Sequence, residues 1–518
     1  MTDPLSGKTP GVYINEINAF PNSIVQVPTA VPAFIGYTPK AEYNGKNYLN
    51  KPVKVNSFSE FEEYFMPARP AQPYSPQYYI TEQSAAPANG DYLTLKNKIY
   101  TLDPDPNTIY YLYNSVRLFY QNGGGTAYIV SVGGYGSPSE AAMAHDENIV
   151  NPNIKLSELK AGLQTLTKET EPTMYVVPEA TLLSKDDNAS LMQAMLGQSE
   201  EMETAVSILD VLGGHSPDPV LYTQDIEGFR EGVGSKGLCY GVAYYPFLKT
   251  TITQGSELGY TNFNGGNTDA LFALLQNLEG ANPALEEAIA LIKNASTDAN
   301  VGDMNQALMI VSKVYKELFN SLLSEVNVLP PSGAMAGIYT VVDNNRGVWV
   351  PPANVSISAA IKPTLDINNR MQEDLNVPSD GKAVNALRLF IGRGVLVWGA
   401  RTLEGNSSDW RYINVRRTMI MLEQSIKMAI RAYVFEPNDA NTWVNVQSMI
   451  SSFLNSVWKQ GGLVGSKPAD AFNVSVGLGS TMTPEDILDG IMRVTVKVAI
   501  THPAEFVIIT FQQQMQKG

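Results

Sequence analysis

The hydrophobic and polar positions of the central chain follow two patterns that alternate. Short apolar runs typical of strands are AFIGY, TAYIVSVG, TMYVVPEA, AVSILDVLGG and LCYGVAYYPFL. Runs with the 3.6-residue spacing of an amphipathic helix lie between them, in YYLYNSVRLFYQNGGG, SLMQAMLGQSEEME and DIEGFREGVGS. Because strand-like and helical runs alternate, the pattern predicts a sheet with at least some parallel strands.

The C-terminal stretch from Arg401 to Gln514 predicts a small packed module. A long helix is expected in DWRYINVRRTMIMLEQSIKMAIRAYVF, with Asp409 as its N-cap. A second helix is expected after Asn441 as N-cap, ending at Gly461-Gly462. TPEDILDG has the composition of a helix start, with Thr483 as the cap. AFNVSVGLGS, IMRVTVKVAI and EFVIITFQ read as strands.

Strand-like segments also lie near both chain ends, in VYINEI and in EFVIITFQ. Neither segment has an evident partner strand beside it in the sequence. A chain with an unpaired β-segment near each end, and without a catalytic constellation, is typical of a building block.

Two central regions are harder to interpret. Residues 251–329 change to polar, glycine-rich sequence and then to helical runs, and they look like an insertion. VLPPSGAMAGIYTVVDNNRGVWVPPANVSIS has paired prolines at both ends and small residues between, which predicts a tightly turned connection. ALRLFIGRGVLVWGARTL then predicts two strands around a glycine turn.

Composition sets the class of protein. The 518 residues are 44% hydrophobic and 17% charged, which predicts a folded globular chain of about three domains. One cysteine excludes an intramolecular disulfide and favours a reducing compartment. MTDPLSGKTP lacks the apolar core of a signal peptide, and the sequence contains no run of about 18 apolar residues, so no membrane insertion is expected.

Charge is distributed unevenly along the chain. Residues 390–518 hold 12 Lys+Arg and 10 Asp+Glu, a net charge of +2. Because the whole chain has a net charge of −15, residues 1–389 carry a net charge of −17. An acidic exterior disfavours nucleic acid. The basic helix residues are interpreted as salt-bridge partners or a solvated face, since the module's net charge is too small for a phosphate footprint; they are Arg411, Arg416, Arg417, Lys427 and Arg431.

Searches for catalytic chemistry find only near misses. Gly7-Lys8-Thr9 has Thr2 in place of the first glycine of a phosphate loop, and Gly123-Gly124-Gly125 follows a helix instead of opening one. His145, His215 and His502 do not have the spacing of a zinc site. His215 near Asp210 is interpreted as a loop histidine, and Cys239 as a buried inert thiol. The sequence predicts no enzyme, no metal and no cofactor.

Several stretches, in order, resemble the contractile tail sheath family of phage tails, tailocins and injection systems. They are TPGVYINEI, VPTAVPAFIGYTPKA, SVRLFYQNGGGTAYIVSVG, GVAYYPFL, PPSGAMAGIYTVVDNNRGVWVPPAN, VWGARTL, WRYINVRR, VFEPND, AFNVSVG and HPAEFVIITFQQ. Residues 51–104 and 251–329 match nothing in that pattern and look like additions. LNVPSDGKAVNALRLF departs from the short glycine turn that the family often has.

The resemblance implies a multidomain α+β or α/β fold. Its inner sheath domain would be built from N- and C-terminal segments, with an inserted outer α/β region. The implied division is an N-terminal arm at 1–27, a middle domain at 28–135 and 330–390, an outer region at 136–329, and an inner domain at 391–518.

The resemblance also implies a function. Copies would stack as six-membered rings around an inner tube and contract to drive the tube through a target envelope, with baseplate and terminator or cap proteins as further partners. The subunits would assemble in the bacterial cytoplasm and would form part of a phage tail or tail-like particle. A non-contractile shell or capsid-like lattice protein is the alternative, followed by an enzyme that uses the central α/β domain.

Two sets of site residues follow from the resemblance. The terminal arms would add strands to neighbouring subunits, through Val12, Tyr13, Ile14, Ile17, Glu505, Phe506, Val507, Ile508, Ile509 and Phe511. The tube contact would lie near the end of the second C-terminal helix and the turn that follows. Its candidates are Lys459, Lys467, Asp470, Glu485 and Asp486, whose alternative interpretation is ordinary exposed charge.

Overall fold

A computed structural model describes residues 23–67, 75–145, 147–295 and 300–506. These residues fall into two compact units. One contains residues 23–27 and 418–501, and the other contains residues 28–417 and 502–506. The finer four-part division stays a prediction.

The strands of the described residues are short, as expected for a mixed fold. They are β1 Pro32–Tyr37, β2 Glu42–Tyr43, β3 Lys46–Asn47, β4 Val53–Val55, β5 Tyr78–Gln83, β6 Leu93–Leu95, β7 Lys98–Pro104, β8 Ala127–Gly133, β9 Met174–Val176, β10 Val206–Asp210, β11 Gly241–Tyr245, β12 Leu248–Thr250, β13 Val328–Leu329, β14 Ala360–Pro363, β15 Asn385–Phe390, β16 Gly394–Trp398, β17 Phe472–Val476 and β18 Val494–Val498.

Helices alternate with these strands along most of the chain. They are α1 Phe58–Phe65, α2 Leu112–Gln121, α3 Leu156–Thr165, α4 Lys185–Met202, α5 Thr223–Gly232, α6 Thr268–Glu279, α7 Pro283–Lys293, α8 Val301–Val311, α9 Lys313–Val326, α10 Ser332–Arg346, α11 Asn369–Asn376, α12 Ile413–Ile430, α13 Ala440–Lys459, α14 Pro468–Ala471 and α15 Pro484–Leu488.

The larger unit is built on an eight-stranded sheet with the strand order β16-β15-β11-β10-β9-β1-β8-β4. Neighbouring strands from β15 through β8 pair in parallel, and only the two edge pairs are antiparallel. The central strands are buried, as expected for a parallel sheet whose two faces are covered by helices. The prediction of a mixed α/β fold with parallel strands is confirmed.

The segment expected to be a tight connection is instead helix α10, so that prediction was wrong. Its small residues allow close packing on α2, because a Cβ at Gly333 would lie 2.5 Å from the Ser115 carbonyl oxygen. A Cβ at Gly337 would lie 2.6 Å from the Phe119 carbonyl oxygen. Small residues surrounded by proline resemble a turn in the sequence, whereas here they let two helix backbones approach each other.

Other boundaries differ from the sequence expectations in detail. LCYGVAYYPFL forms two strands, β11 and β12, because Pro246 between them has no N–H to donate to a ladder. Asp409 does not cap the long helix, which begins at Ile413. Asp439 replaces Asn441 as the cap of α13, since its extended backbone lets its side chain accept from the Thr442 N–H at 3.0 Å. The Thr483 cap is confirmed, and it is reciprocated by Asp486.

The two regions that matched no known pattern pack against each other within the larger unit. Asn262 Nδ2 donates to the Pro76 carbonyl at 2.9 Å, and the Ile80 N–H donates to Asn264 Oδ1 at 3.2 Å. Tyr78 and Phe263 form a β-bridge. The sheet β5-β7-β6 is therefore joined to sequence that lies more than 150 residues away.

Candidate assembly surfaces

The smaller unit presents a two-stranded hairpin, β17 with β18. Its antiparallel register runs from Phe472 opposite Val498 to Val476 opposite Val494. Gln447 of α13 donates from Nε2 to the Val474 carbonyl at 2.9 Å, which ties one strand to the helix. Within the described residues each strand has a single partner strand. An isolated two-stranded ribbon is marginally stable in water, so further strands would stabilise it.

Side chains on β18 alternate between half-buried valines and exposed Thr495 and Lys497. One face of the strand is therefore partly covered, and the other faces solvent. At its end, Ala499 donates to the Ala471 carbonyl at 2.8 Å and accepts from the Val464 N–H at 2.8 Å. The hairpin is thus closed at one end by backbone hydrogen bonds.

Glu505 anchors the C-terminal segment on the larger unit. Its carboxylate accepts from Arg401 Nε at 3.0 Å and from Arg401 Nη2 at 2.7 Å. It also accepts from the Tyr412 hydroxyl at 3.0 Å and from Asn376 Nδ2 at 2.7 Å. The Arg401 side chain is 4% exposed and that of Glu505 is 18% exposed. This set of donors lowers the Glu505 pKa, although burial acts to raise it.

Strand pairing through Glu505 stays a prediction. The sequence placed it in the exchanged strand, whereas the structure gives it partners within its own chain. Neither Glu505 nor Phe506 lies in a strand, and Phe506 is 69% exposed. The other strand-pairing candidates lie outside the described residues; they are Val12, Tyr13, Ile14, Ile17, Val507, Ile508, Ile509 and Phe511.

The tube-contact candidates all lie at the surface of the smaller unit or close to it. Lys459 is the exposed last residue of α13. Lys467 and Asp470 form an exposed ion pair with Nζ 3.9 Å from Oδ1. Glu485 is exposed in the first turn of α15.

Asp486 differs from the other candidates because it has a structural task. Its Oδ2 accepts from the Thr483 N–H at 2.9 Å and its Oδ1 accepts from Arg493 Nη2 at 3.0 Å. These bonds lower the Asp486 pKa. A substitution at Asp486 would therefore disturb the start of α15 as well as any contact it makes.

The residues weighed for catalysis do not form a nucleophilic site. Both carboxylate oxygens of Asp210 accept from Ser332, the first residue of α10, with the backbone N–H at 2.9 Å from Oδ1. Burial lowers the His215 pKa to about 4, so its ring is neutral. Cys239 is half-buried in a short 3₁₀ turn, and burial raises its pKa to about 11, so the thiol is not activated.

Two of the basic helix residues are buried, so they cannot form an exposed charged surface. The Arg416 guanidinium lies between the rings of Tyr240 and Trp410, at 4.5 Å and 4.4 Å from their centroids. Arg417 makes a bidentate pair with Asp343, with nitrogen–oxygen distances of 2.9 Å and 2.7 Å. Lys427 and Arg431 are exposed.

Sequence reasoning did not pair Arg401 with Glu505. The residue stands in VWGARTL, which was noted only as part of an ordered resemblance. Its partner Glu505 is 104 residues away, and a single sequence has no signal that pairs them.

Across the described ranges, no helix is long and apolar enough to cross a membrane. The same ranges contain no group of three or more His, Cys, Asp or Glu side chains placed to hold a metal ion.

Comparison with known proteins identifies the C-terminal part. A family model described as the phage tail sheath C-terminal domain matches residues 406–514. The tail sheath protein of Vibrio phage KVP40 is 24% identical over 213 residues, which is 40% of this chain and 29% of the phage protein. The chain therefore matches less than a third of that relative's length.

Solved structures match over nearly the whole chain. The sheath of an extracellular contractile injection system, PVC, in its contracted state is 25% identical, with 98% of both chains covered and a TM-score of 0.58. The contracted helical sheath of the anti-feeding prophage shares the fold at 24% identity and a TM-score of 0.59, with 98% of this chain and 100% of that chain covered. Both matched structures are described as sheaths in the contracted state.

Proposed function

From its place in the contractile tail sheath family, we propose that this chain is a structural subunit whose copies stack as hexameric rings around an inner tube. Contraction of the stack would drive the tube through a target envelope. The observation that carries the proposal is the whole-chain likeness to an injection-system sheath in its contracted state. The subunit would assemble in the bacterial cytoplasm as part of a phage tail or tail-like particle.

Strand exchange would join the subunits. The β17–β18 hairpin has one partner per strand within the described residues, so it can accept strands at its edges. Segments with the strand pattern, at Val12–Ile17 and Val507–Phe511, would supply them from neighbouring subunits. Main-chain pairing of this kind gives directional hydrogen bonds without requiring a particular side chain at every position.

Glu505 supports a specific version of this joint. Four hydrogen bonds hold its carboxylate on its own subunit, immediately before the segment that would leave. The arm would therefore move about the residues that follow Glu505, while its root stays with the donor. A force exerted by the neighbouring subunit on the arm would reach the larger unit through the Arg401–Glu505 ion pair.

Contraction would proceed by rigid-body rearrangement. Rigid subunits joined by short hinges can move between two packings. Energy would be stored by assembling the less stable packing, so nucleotide hydrolysis by this chain is not needed. A trigger at the baseplate would start the change, and cap proteins would close the other end.

The contact with the tube would use exposed charges of the smaller unit, at Lys459, Lys467, Asp470 and Glu485, with Asp486 holding the local helix. Exposed ion pairs contribute roughly 0–1 kcal/mol each, so a set of them can be broken during contraction.

Electron microscopy of the purified full chain tests the proposal. Hollow striated tubes of one wide diameter, with six-fold symmetry, are the expected result. Closed shells would contradict the sheath proposal and support the alternative, a shell or capsid-like lattice protein. A chain that stays monomeric at high concentration in the presence of its tube would contradict both hypotheses.

A further inference from the structure

His145 lies beside the sheet β5-β7-β6, within the larger unit. It belongs to the segment that follows β8, and its ring contacts two places in that sheet and its loops. Nδ1 lies 2.6 Å from Asp103 Oδ1 on β7, and Nε2 lies 3.1 Å from the Asn89 carbonyl oxygen in the loop between β5 and β6. We propose that His145 is a proton-dependent latch, whose imidazolium form fastens β7 and this loop and whose neutral form releases them.

The hydrogen-bond geometry selects the charged ring. Both ring nitrogens face an oxygen acceptor, and a carbonyl oxygen cannot donate a proton. A neutral imidazole has one N–H, so one nitrogen would direct a lone pair at an oxygen. The imidazolium has two N–H groups and satisfies both acceptors. The other oxygen of Asp103 is already used, because Oδ2 accepts from the Thr101 hydroxyl at 2.9 Å.

Close packing leaves the ring little freedom to find other partners. The His145 side chain is 16% exposed and that of Asp103 is 3% exposed. Gly90 passes directly over the ring, so that a Cβ there would lie 3.0 Å from Nε2. Its φ of +73° places it in the left-handed region, which favours glycine.

The same loop is fastened at two further points of the larger unit. Asn89 Nδ2 donates to the Ser216 carbonyl at 3.2 Å, in the segment after β10. Asp91 pairs with Lys249 of β12, whose side chain is 13% exposed. Of these fastenings, His145 is the one made by an imidazole, whose ordinary pKa is about 6.5.

Several charged groups surround His145 and affect how the latch responds to pH. Asp103 on β7, Asp91 in the loop, Lys249 on β12 and Glu325 on α9 interact electrostatically in this region. The hydrogen bond that His145 donates to Asp103 raises the His145 pKa, although burial opposes it. Burial raises the Glu325 pKa to about 7. Asp146, the next residue, lies outside the described residues.

The direction of the pH effect follows from these shifts. A histidine whose pKa is higher in the folded chain contributes its full stabilisation below the ordinary value of about 6.5. That contribution is lost as pH rises through the folded-state value. Ionisation of Glu325 over the same range adds negative charge beside Asp103 and Asp91. Alkaline conditions therefore loosen the junction, and acidic conditions close it.

Two mass-spectrometric measurements on the full-length chain test the latch. Exchange of the imidazole C2 hydrogen over a pH series gives a midpoint for each of the three histidines. The His145 midpoint should lie above 6.5, and Asp103→Asn should move it down. Backbone hydrogen exchange in residues 76–104, corrected for its chemical pH dependence, should be about tenfold faster well above that midpoint than well below it, as expected for loss of one charge-assisted hydrogen bond.

Two variants make the second measurement decisive. His145→Gln should exchange at the faster rate on both sides of that midpoint, and His502→Gln should keep the dependence of the unaltered chain. Equal corrected exchange below and above the measured His145 midpoint in the unaltered chain would overturn the latch. Persistence of the pH dependence in His145→Gln would also overturn it, because another group would then be responsible. Neither result bears on sheath assembly, which the electron microscopy tests separately.

Discussion

Arg401 holds Glu505 by donating from Nε to Oε1 at 3.0 Å and to Oε2 at 3.3 Å, and from Nη2 to Oε2 at 2.7 Å. The arginine is almost fully buried, so its charge depends on this carboxylate for compensation. Removing one partner of a buried pair leaves an uncompensated charge, which is more costly than replacing both. The pair thus gives the C-terminal segment a fixed starting point.

Glu505→Gln should lower the free energy of unfolding by about 1.5–3 kcal/mol, the range for a hydrogen bond to a charged group. It should also reduce the yield of assembled tubes relative to folded monomer. Urea unfolding and sedimentation of assembled material measure the two effects. Glu287→Gln on α7 is the matched control, since this exposed substitution should change stability by no more than about 0.5 kcal/mol. Normal assembly and normal stability of Glu505→Gln would refute the anchoring role.

Helix α10 should tolerate no side chain where it meets α2. Gly337→Ala places a methyl group against the Phe119 carbonyl, so it should destabilise the chain by about 1–3 kcal/mol. Gly197→Ala in α4 is the control, because a Cβ there meets nothing within 4 Å. Removing a helical glycine at that position should stabilise by about 0.4–1 kcal/mol. Denaturant midpoints that shift in the same direction for both variants would contradict the packing.

Asp210 should make stability depend on pH. Burial raises its pKa to about 7, despite the hydrogen bonds from Ser332. An acid with a raised folded-state pKa stabilises fully below its unfolded value, and that contribution is lost as pH rises through 7. The free energy of unfolding should therefore fall between pH 5 and pH 8, by at most about 1.4 kcal/mol per pH unit for one proton.

Asp210→Asn isolates this contribution from those of other titrating groups. The difference in unfolding free energy between the unaltered chain and the variant should change with pH in the direction given above. Urea titrations at pH 5, 6, 7 and 8 measure it. A difference that stays constant over this range would show that Asp210 does not titrate there.

Deleting residues 1–17 should leave a folded chain that does not form tubes, because the proposed donor strand Val12–Ile17 is lost. Circular dichroism and thermal unfolding measure folding, and electron microscopy measures assembly. Deletion of residues 1–9 removes polar sequence before the strand and should leave assembly intact. Tubes from the 1–17 deletion would count against strand exchange at this end.

Charge exchange in the smaller unit tests the tube contact. Lys467→Glu with Asp470→Lys keeps an ion pair within the subunit but reverses its orientation toward a partner. The free energy of unfolding should change by less than about 1 kcal/mol, because the pair is exposed. Co-sedimentation of sheath with tube protein should decline, and the loss should be largest at low salt. Unchanged co-sedimentation at every salt concentration would remove these two residues from the contact.

Local patterns predicted the parallel sheet and several helix ends, because these depend on neighbours in the sequence. The Thr483 cap and the glycine end of α13 belong to this group. Helix α10 could not be recognised in the same way. Gly333 and Gly337 favour a helix here only because α2 lies against them, and the sequence does not reveal that contact.

The site was predicted less completely than the fold. Strand formation at the chain ends stays a prediction. The position of Glu505 depends on Arg401, Tyr412 and Asn376, which are far from it in the chain. The latch at His145 is likewise assembled from separate segments. Such clusters are products of tertiary structure, so a single sequence gives their members and not their association.

Packing between the two additions limits how this chain can be redesigned. In one region, the Pro76 carbonyl accepts a hydrogen bond from Asn262 of the other region. The Ile80 N–H likewise donates to Asn264 of the other region. A chimaera that exchanges only one of these regions for that of a relative would lose half of each contact. The two segments are therefore one transferable module, and successful grafts will have to carry both together.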